Sequence, residues 1–110
     1  MGDTDGWEQY CAIMPSYSDL TDRRAVDVAL AEFDKVGREA FLHRYGFGRA
    51  RDYFLVTDTG RYDSKAIFGV AYGVQHGSPL DPAEFSGGRD GAAGRLAELG
   101  YSITGINTHG

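Results

Sequence analysis

Apolar residues recur at helical spacing in two segments of the first half of the chain. The first segment runs from a predicted N-cap at Thr21 to a stop at Gly37. Its apolar positions share one face of a helix: Val26, Ala29, Leu30 and Phe33. A second, shorter helix is predicted over residues 38–45, and its inward positions are Phe41, Leu42 and Tyr45. Both helices therefore present one apolar face to a common core.

The centre of the chain has the pattern of a β-hairpin. Residues 53–57 are rich in aromatic and β-branched side chains, which strands favour. The turn residues Asp58-Thr59-Gly60 follow, so Arg61 and Tyr62 return antiparallel. Directly after the hairpin, Asp63 or Ser64 can accept a hydrogen bond from an unpaired backbone N–H and begin a helix at Lys65.

Short apolar runs separated by glycine and proline make up the second half. A helix is predicted over residues 65–72, in which Gly69 and Gly73 lie on one side and let another backbone approach. A loop over residues 73–80, a short turn over residues 82–85 and a last helix over residues 89–99 with its stop at Gly100 complete this half. Residues 101–106 alternate like a half-buried strand and add a third strand to the hairpin.

This order predicts an α+β fold: a small single domain with four to five helices around a short antiparallel hairpin or three-stranded sheet. A winged helix is the nearest alternative, because it also combines three helices with a hairpin. In that fold the wing follows the recognition helix, whereas this hairpin precedes the best-capped helices.

Length and composition bound the domain organisation. A chain of 110 residues can bury one core without disulfides but is too short for two domains. Residues 1–20 are predicted as an acidic, partly irregular arm, residues 21–106 as the folded domain, and residues 107–110 as a tail. The single Cys11 excludes an internal disulfide and a multi-cysteine zinc site, which favours a cytoplasmic protein. No apolar stretch approaches the about 20 residues that cross a bilayer, so no membrane partner is predicted.

The charge distribution is uneven, although the formal net charge is −5. Residues 1–22 carry five acidic residues and no lysine or arginine. Between Lys35 and Lys65 the balance reverses, with seven cations against four anions. A locally basic face on an acidic protein suits an anionic ligand, because the local potential matters more than the total charge.

The hairpin region gathers the candidate binding residues. Four cations lie at its base and tip beside two tyrosines: Arg49, Arg51, Arg61 and Lys65 with Tyr53 and Tyr62. Cations beside flat rings suit phosphates and bases, although either tyrosine could instead belong to the core. Asp63 could accept from the exocyclic amino group of cytosine, and Ser64 could contact a phosphate; helix capping is the alternative for both. Ser86-Gly87-Gly88 at a predicted helix start could bind an anion through backbone N–H groups, or could simply form a tight turn.

Several of these residues form an ordered series of short motifs. The series consists of Tyr45-Gly46-Phe47-Gly48, Arg51 with residues 53–56, Gly60, Tyr62-Asp63-Ser64-Lys65-Ala66-Ile67, Phe85-Ser86-Gly87-Gly88 and residues 96–101. It covers a little over half of the chain and resembles the N-terminal head domain of actinobacterial McrA-type HNH endonucleases, which restrict modified DNA, and related stand-alone 5-methylcytosine-binding proteins. The resemblance implies a nucleoid-associated reader of double-stranded DNA that carries 5-methylcytosine.

Binding without cleavage is the activity that this resemblance implies. Nuclease chemistry in such proteins belongs to a separate HNH domain, for which 110 residues leave no room. The three histidines, His43, His76 and His109, lack metal-ligand spacing, so no catalytic residue, metal or cofactor is predicted. Two alternatives stay open: non-specific DNA binding through phosphate contacts, and a protein-interaction domain whose acidic arm docks on a partner through Trp7 and Tyr10. The oligomeric state is left open.

Overall fold

Helices and strands follow one another in the predicted order in the computed structural model, which describes residues 17–82, 85–89 and 91–104. A short 3-10 helix, Tyr17–Asp19, comes first. The remaining described elements are α1 (Arg23–Val36), α2 (Arg38–Tyr45), β1 (Phe54–Thr57), β2 (Gly60–Asp63), α3 (Ser64–His76), α4 (Ala92–Glu98) and β3 (Ser102–Ile103). The strands form one antiparallel sheet in the order β2-β1-β3. The predicted α+β domain with a three-stranded sheet is therefore confirmed.

The first two helices have nearly the predicted bounds. Asp22 rather than Thr21 is the N-cap of α1, because its carboxylate accepts from the backbone N–H of Arg24 at 2.9 Å. Thr21 instead exchanges two hydrogen bonds with the side-chain amide of Gln75 in α3. Gly37, with φ of +91°, ends α1 as predicted. The predicted N-cap at Thr21, by contrast, was wrong by one residue.

The hairpin is confirmed, and the register of the strands buries one side of the sheet. The third strand is present but shorter than predicted, because Tyr101 and Thr104 lie outside β3. Leu55 in β1 lies opposite Tyr62 in β2 on one side and Ile103 in β3 on the other. All three side chains are buried. Residues 105 and 106 of the predicted strand lie outside the described residues.

Helix α3 is longer than predicted, because Gly73 lies inside it and Gly77, with φ of +101°, ends it. A methyl group in place of the Gly73 hydrogen would lie 2.6 Å from the backbone nitrogen of Pro79. The predicted close approach of another backbone is therefore confirmed, whereas the predicted loop start at residue 73 was wrong. At Gly69 the same substitution would meet the Phe47 ring at 2.6 Å.

The last helix is shorter than predicted. It begins at Ala92 rather than at residue 89, because the chain first makes a turn in which the Ala92 N–H donates to the carbonyl of Ser86 at 2.9 Å. Gly100 follows it with φ of +104°, in keeping with the predicted stop. Two residues of the predicted turn over residues 82–85 lie outside the described part of the chain.

The core lies between α1, α3, α4 and the inner side of the sheet. Residues 17–20, which the sequence assigned to the acidic arm, pack against this core: Leu20 is 0 % exposed and the Tyr17 ring lies 5.6 Å from that of Phe68. Trp7, Tyr10 and the rest of residues 1–16 lie outside the described residues. Among the helices described here, none has the length and apolar character to cross a bilayer.

Candidate nucleic-acid interface

A pocket of about 290 Å³ opens between the loop that precedes β1, the first turn of α3 and the turn over residues 86–88. Its walls contain six of the candidate residues: Arg51, Tyr53, Ser64, Lys65, Gly87 and Gly88. Ala50 and Asp52, which the sequence did not single out, complete it. The structure thus brings the base of the hairpin together with a turn more than thirty residues away in the chain.

Hydrogen bonds hold the loop that forms one wall of this pocket. The carboxylate of Asp63 accepts from the backbone N–H of Ala50 at 2.7 Å. The hydroxyl of Ser64 donates to the backbone carbonyl of Tyr53 at 2.9 Å. Beyond the loop, Thr104 Oγ1 accepts from the N–H of Phe54 at 2.9 Å. Residues 50–53 are therefore anchored at both ends.

The carboxylate of Asp63 makes its hydrogen bonds inside the domain rather than at the surface. Its side chain is 2 % exposed and makes no helix-capping hydrogen bond. Arg38 donates to its two carboxylate oxygens from Nε at 2.9 Å and Nη2 at 2.8 Å. The hydrogen bond to Asp63 is the main reason that the pKa of Arg38 is raised. Neither sequence reading of Asp63, as cap or as base contact, fits a buried carboxylate that already accepts from three donors.

Tyr62 belongs to the core, which was one of the two readings that the sequence left open. Its side chain is 2 % exposed, and its ring packs edge-on against Phe33 with 4.9 Å between centroids. Its hydroxyl donates to the carboxylate of Asp34 at 2.9 Å. Tyr53, by contrast, is half-buried on the pocket wall. Only Tyr53 of the two candidate tyrosines is placed to face a ligand.

The cations differ in how far their charge is already balanced. All eleven lysine and arginine residues lie in the described part of the chain. Ion pairs between described residues join carboxylates to Arg24, Arg38, Arg44, Arg49 and Arg95. Arg61 lies over the Phe54 ring at 4.2 Å, and the Lys65 ammonium lies 5.0 Å from the Phe85 ring. Within the described residues neither Arg51 nor Lys65 forms an ion pair with a carboxylate, although Asp52 also lines the pocket.

Residues 86–88 form a tight turn, which was one of the two readings that the sequence left open. The turn does not form a helix N-terminus, since α4 begins only at Ala92. The Ser86 hydroxyl accepts from the N–H of Gly88 at 3.2 Å, and the Ser86 N–H donates to the Tyr17 hydroxyl at 2.7 Å. A methyl group at Gly87 would lie 2.9 Å from the Lys65 Cβ. Glycine at this position therefore lets the turn pack directly on the Lys65 side chain.

A larger concavity of about 510 Å³ lies between α1 and α2. Its acidic residue, Glu32, accepts from Tyr45 Oη at 2.7 Å and from Arg44 Nη1 at 2.7 Å. Burial and this carboxylate raise the pKa of Tyr45. Lys35 also lines this concavity and has no carboxylate partner among the described residues. One such cation, against two at the hairpin base, makes it a weaker candidate.

Comparison with known proteins shows the family to which this α+β domain belongs. The ScoMcrA-like N-terminal head-domain family matches residues 18–105, and the chain belongs to this family. Among solved structures, the type IV phosphorothioation-dependent restriction endonuclease ScoMcrA is similar, with 32% sequence identity and a TM-score of 0.55. The similarity covers 76% of this chain and 12% of the ScoMcrA chain. No curated protein matches. The family resemblance seen in the sequence is confirmed.

Proposed function

We propose that this protein is a DNA-binding module of a modification-dependent restriction system and that Arg51 and Lys65 together bind a backbone phosphate. One observation carries the proposal: these two cations, which lack carboxylate partners among the described residues, line the same pocket. Phosphate contacts supply most of the affinity of DNA-binding proteins and set their register on the duplex. The family membership supports the same partner, since ScoMcrA is a restriction endonuclease.

The other pocket residues suit the sugar and base beside that phosphate. A volume of about 290 Å³ accommodates one small group rather than an extended ligand. The Tyr53 ring offers a flat surface, and the Asp52 carboxylate is of the kind that accepts from the amino group of cytosine. We propose that 5-methylcytosine is the preferred base, with its methyl group against Ala50 and the Tyr53 ring. This preference rests on the family resemblance and on the composition of the pocket.

Two further candidate cations would contribute outside the pocket. Arg61 is exposed at the far end of β2, where it stacks on Phe54 and leaves its N–H groups available to a second phosphate. Arg49 would contribute less, because Glu39 already pairs with it. A surface pair of this kind is worth about 0–1 kcal/mol, so a phosphate can replace the carboxylate at little cost.

Binding without cleavage in the cytoplasm, close to the nucleoid, is the activity that we propose. Hydrolysis of a phosphodiester needs an activated water and stabilisation of the leaving oxygen. The pocket offers two cations, a tyrosine, a serine and one carboxylate, and the serine hydroxyl is already engaged with the Tyr53 carbonyl. These groups suit binding better than hydrolysis.

Three matched duplexes test the proposal: unmodified, carrying 5-methylcytosine, and carrying a phosphorothioate at the same step. Fluorescence anisotropy across a salt series should show tighter binding of the methylated duplex and a salt-dependent affinity for all three. Arg51→Ala and Lys65→Ala should each lower the salt slope by about one contact. Arg24→Ala removes the same charge from an arginine paired with Asp22 and is the matched control.

Each outcome bears on a different part of the proposal. Equal affinity for the methylated and unmodified duplexes would remove the 5-methylcytosine preference, and tighter binding of the phosphorothioate duplex would replace it. Weak binding of every duplex without salt dependence would refute DNA binding itself.

A further inference from the structure

We infer that Asp63 and Ser64 are positioning residues that brace the pocket loop, residues 50–53, against the start of α3 and so fix the spacing between Arg51 and Lys65. Asp63 accepts from the N–H of Ala50 at 2.7 Å, at the first residue of this loop. Ser64 donates to the carbonyl of Tyr53 at 2.9 Å, at its last residue. The inference rests on the proposed function of the two cations.

The hydrogen bonds of Asp63 and Ser64 to the loop are costly to break because both side chains are buried. Asp63 is 2 % exposed and Ser64 is 1 % exposed. A buried donor or acceptor that loses its partner cannot turn to water, so it keeps the full cost of desolvation. The bidentate pair with Arg38 balances the charge of Asp63 and leaves the carboxylate able to accept from Ala50 as well. Movement of the loop would therefore leave buried polar groups unsatisfied.

The bracing residues stand next to one of the cations that they position. Lys65 follows Ser64 directly in the first turn of α3, whereas Arg51 lies on the braced loop. The braced loop and the first turn of α3 thus hold Arg51 and Lys65 at a fixed spacing, although the two residues belong to different elements. Two cations held at a fixed spacing contribute non-additively to the binding free energy. Their contributions become independent when the spacing is no longer fixed.

A double-mutant cycle of Arg51→Ala and Lys65→Ala measures this coupling with the unmodified duplex. In the parent protein the two changes should be non-additive. In a Ser64→Ala background, affinity should fall about fivefold, the effect of one hydrogen bond, and the two changes should become additive. Val26→Ala removes buried volume from α1 and should lower the melting temperature without altering the coupling. An unchanged coupling in Ser64→Ala would overturn the inference.

Two double variants isolate the acceptor of Asp63 at constant net charge. Arg38→Gln with Asp63→Asn keeps an amide oxygen for the Ala50 N–H, whereas Arg38→Gln with Asp63→Ala removes it. The first should bind DNA more tightly than the second, and equal affinities would overturn the role of the acceptor.

Amide hydrogen exchange at Ala50 reports the brace without DNA. Exchange should be slow in the parent and in the Asp63→Asn double variant, and fast in the Asp63→Ala double variant. Slow exchange in both double variants would overturn the brace. If exchange behaves as expected but the parent binds no DNA, the loop is braced and only the proposed function, with the link to the two cations, fails.

Discussion

The position of Lys65 depends on the absence of a side chain at Gly87. The turn over residues 86–88 packs on the Lys65 side chain because Gly87 has no Cβ, and the ammonium lies over the Phe85 ring. The sequence left two readings of Gly87 open, an anion-binding helix start and a tight turn. The structure shows a tight turn that packs on Lys65, 22 positions earlier in the chain, and local turn propensities do not predict that contact.

Gly87→Ala should displace Lys65 from the pocket and weaken DNA binding about threefold. It should also cost about 1–3 kcal/mol of stability, because the nearest atom, Lys65 Cβ, is fixed by the α3 backbone. Anisotropy with the methylated duplex measures the first effect and chemical denaturation the second. Gly48→Ala is the matched control, since a methyl group there meets nothing within 4 Å and the backbone is not left-handed. Parental affinity in a folded Gly87→Ala variant would show that the turn does not position the lysine.

The candidate residues on the hairpin separate according to the range of their contacts. Local pattern singled out residues 62–65, of which Ser64 and Lys65 line the pocket and Tyr62 and Asp63 are buried. It could not divide them, because the partners of Tyr62 and Asp63 are Asp34 and Arg38, on helices 25 or more residues earlier. Hydrophobic periodicity and turn residues identify candidate positions in the sequence. Tertiary contacts decide whether the side chains at those positions face a ligand or the core.

For the bounds of helices, a glycine in the sequence can indicate either a helix end or a close contact inside a helix. The bounds of α2 and the hairpin could be predicted because apolar spacing and turn residues agree there. For α3, Gly73 was read as a stop, since glycine commonly follows the last helical turn. The structure places it inside the helix to admit the Pro79 backbone, and the stop is Gly77.

Gly73→Ala should therefore destabilise the domain, although alanine favours helix by about 1 kcal/mol. A Cβ only 2.6 Å from the Pro79 nitrogen forces the backbone apart, which costs about 1–3 kcal/mol as overpacking. Urea denaturation measures the change. Val74→Ala, at a 47 % exposed neighbouring position on the same helix, should leave stability within about 0.5 kcal/mol. A stabilised Gly73→Ala variant would mean that the loop after α3 does not press on the helix.

Residues 17–20, before α1, contribute to the stability of the domain, although the composition of residues 1–20 predicts a partly irregular arm. Leu20 is fully buried, and the Tyr17 hydroxyl accepts from the Ser86 N–H beside the pocket. Deletion of residues 1–20 should cost more stability than deletion of residues 1–16, because only the longer deletion removes these contacts. Leu20→Ala alone should cost about 2–5 kcal/mol. Thermal unfolding of the three variants checks this, and equal melting temperatures for the two deletions would contradict it.

Across the whole molecule, the balance of charge depends on which groups are already paired. The chain is acidic, with a formal net charge of −5, yet the pocket at the hairpin base carries two cations without carboxylate partners in the described structure. The sequence could locate the basic region because it is a local excess of lysine and arginine. It could not show that Arg38 and Arg49 are neutralised within the domain while Arg51 and Lys65 are not, since that depends on how helices and loops meet.

Alkaline pH should destabilise the domain through three tyrosines, of which Tyr101 is buried and Tyr45 and Tyr72 are half-buried. Burial raises the pKa of Tyr45, Tyr72 and Tyr101 above the ordinary value of 10.0. The folded state holds these protons more tightly than the unfolded chain, so stability is fully present below pH 10.0 and falls as the pH rises through the folded pKa values. Melting temperatures measured between about pH 8 and pH 11.5 should therefore fall steeply only in the upper part of this range.

Tyr101→Phe tests which tyrosines carry this effect. The Tyr101 hydroxyl donates to the Arg23 carbonyl at 3.1 Å and to Asp27 at 3.0 Å, so its removal should cost about 1 kcal/mol at pH 7. Above pH 10.0 the variant should lose stability less steeply than the parent, because it has one fewer proton to release on unfolding. Parallel curves for the two proteins would show that Tyr101 ionises as easily in the folded domain as in the unfolded chain, and would contradict this account of its burial.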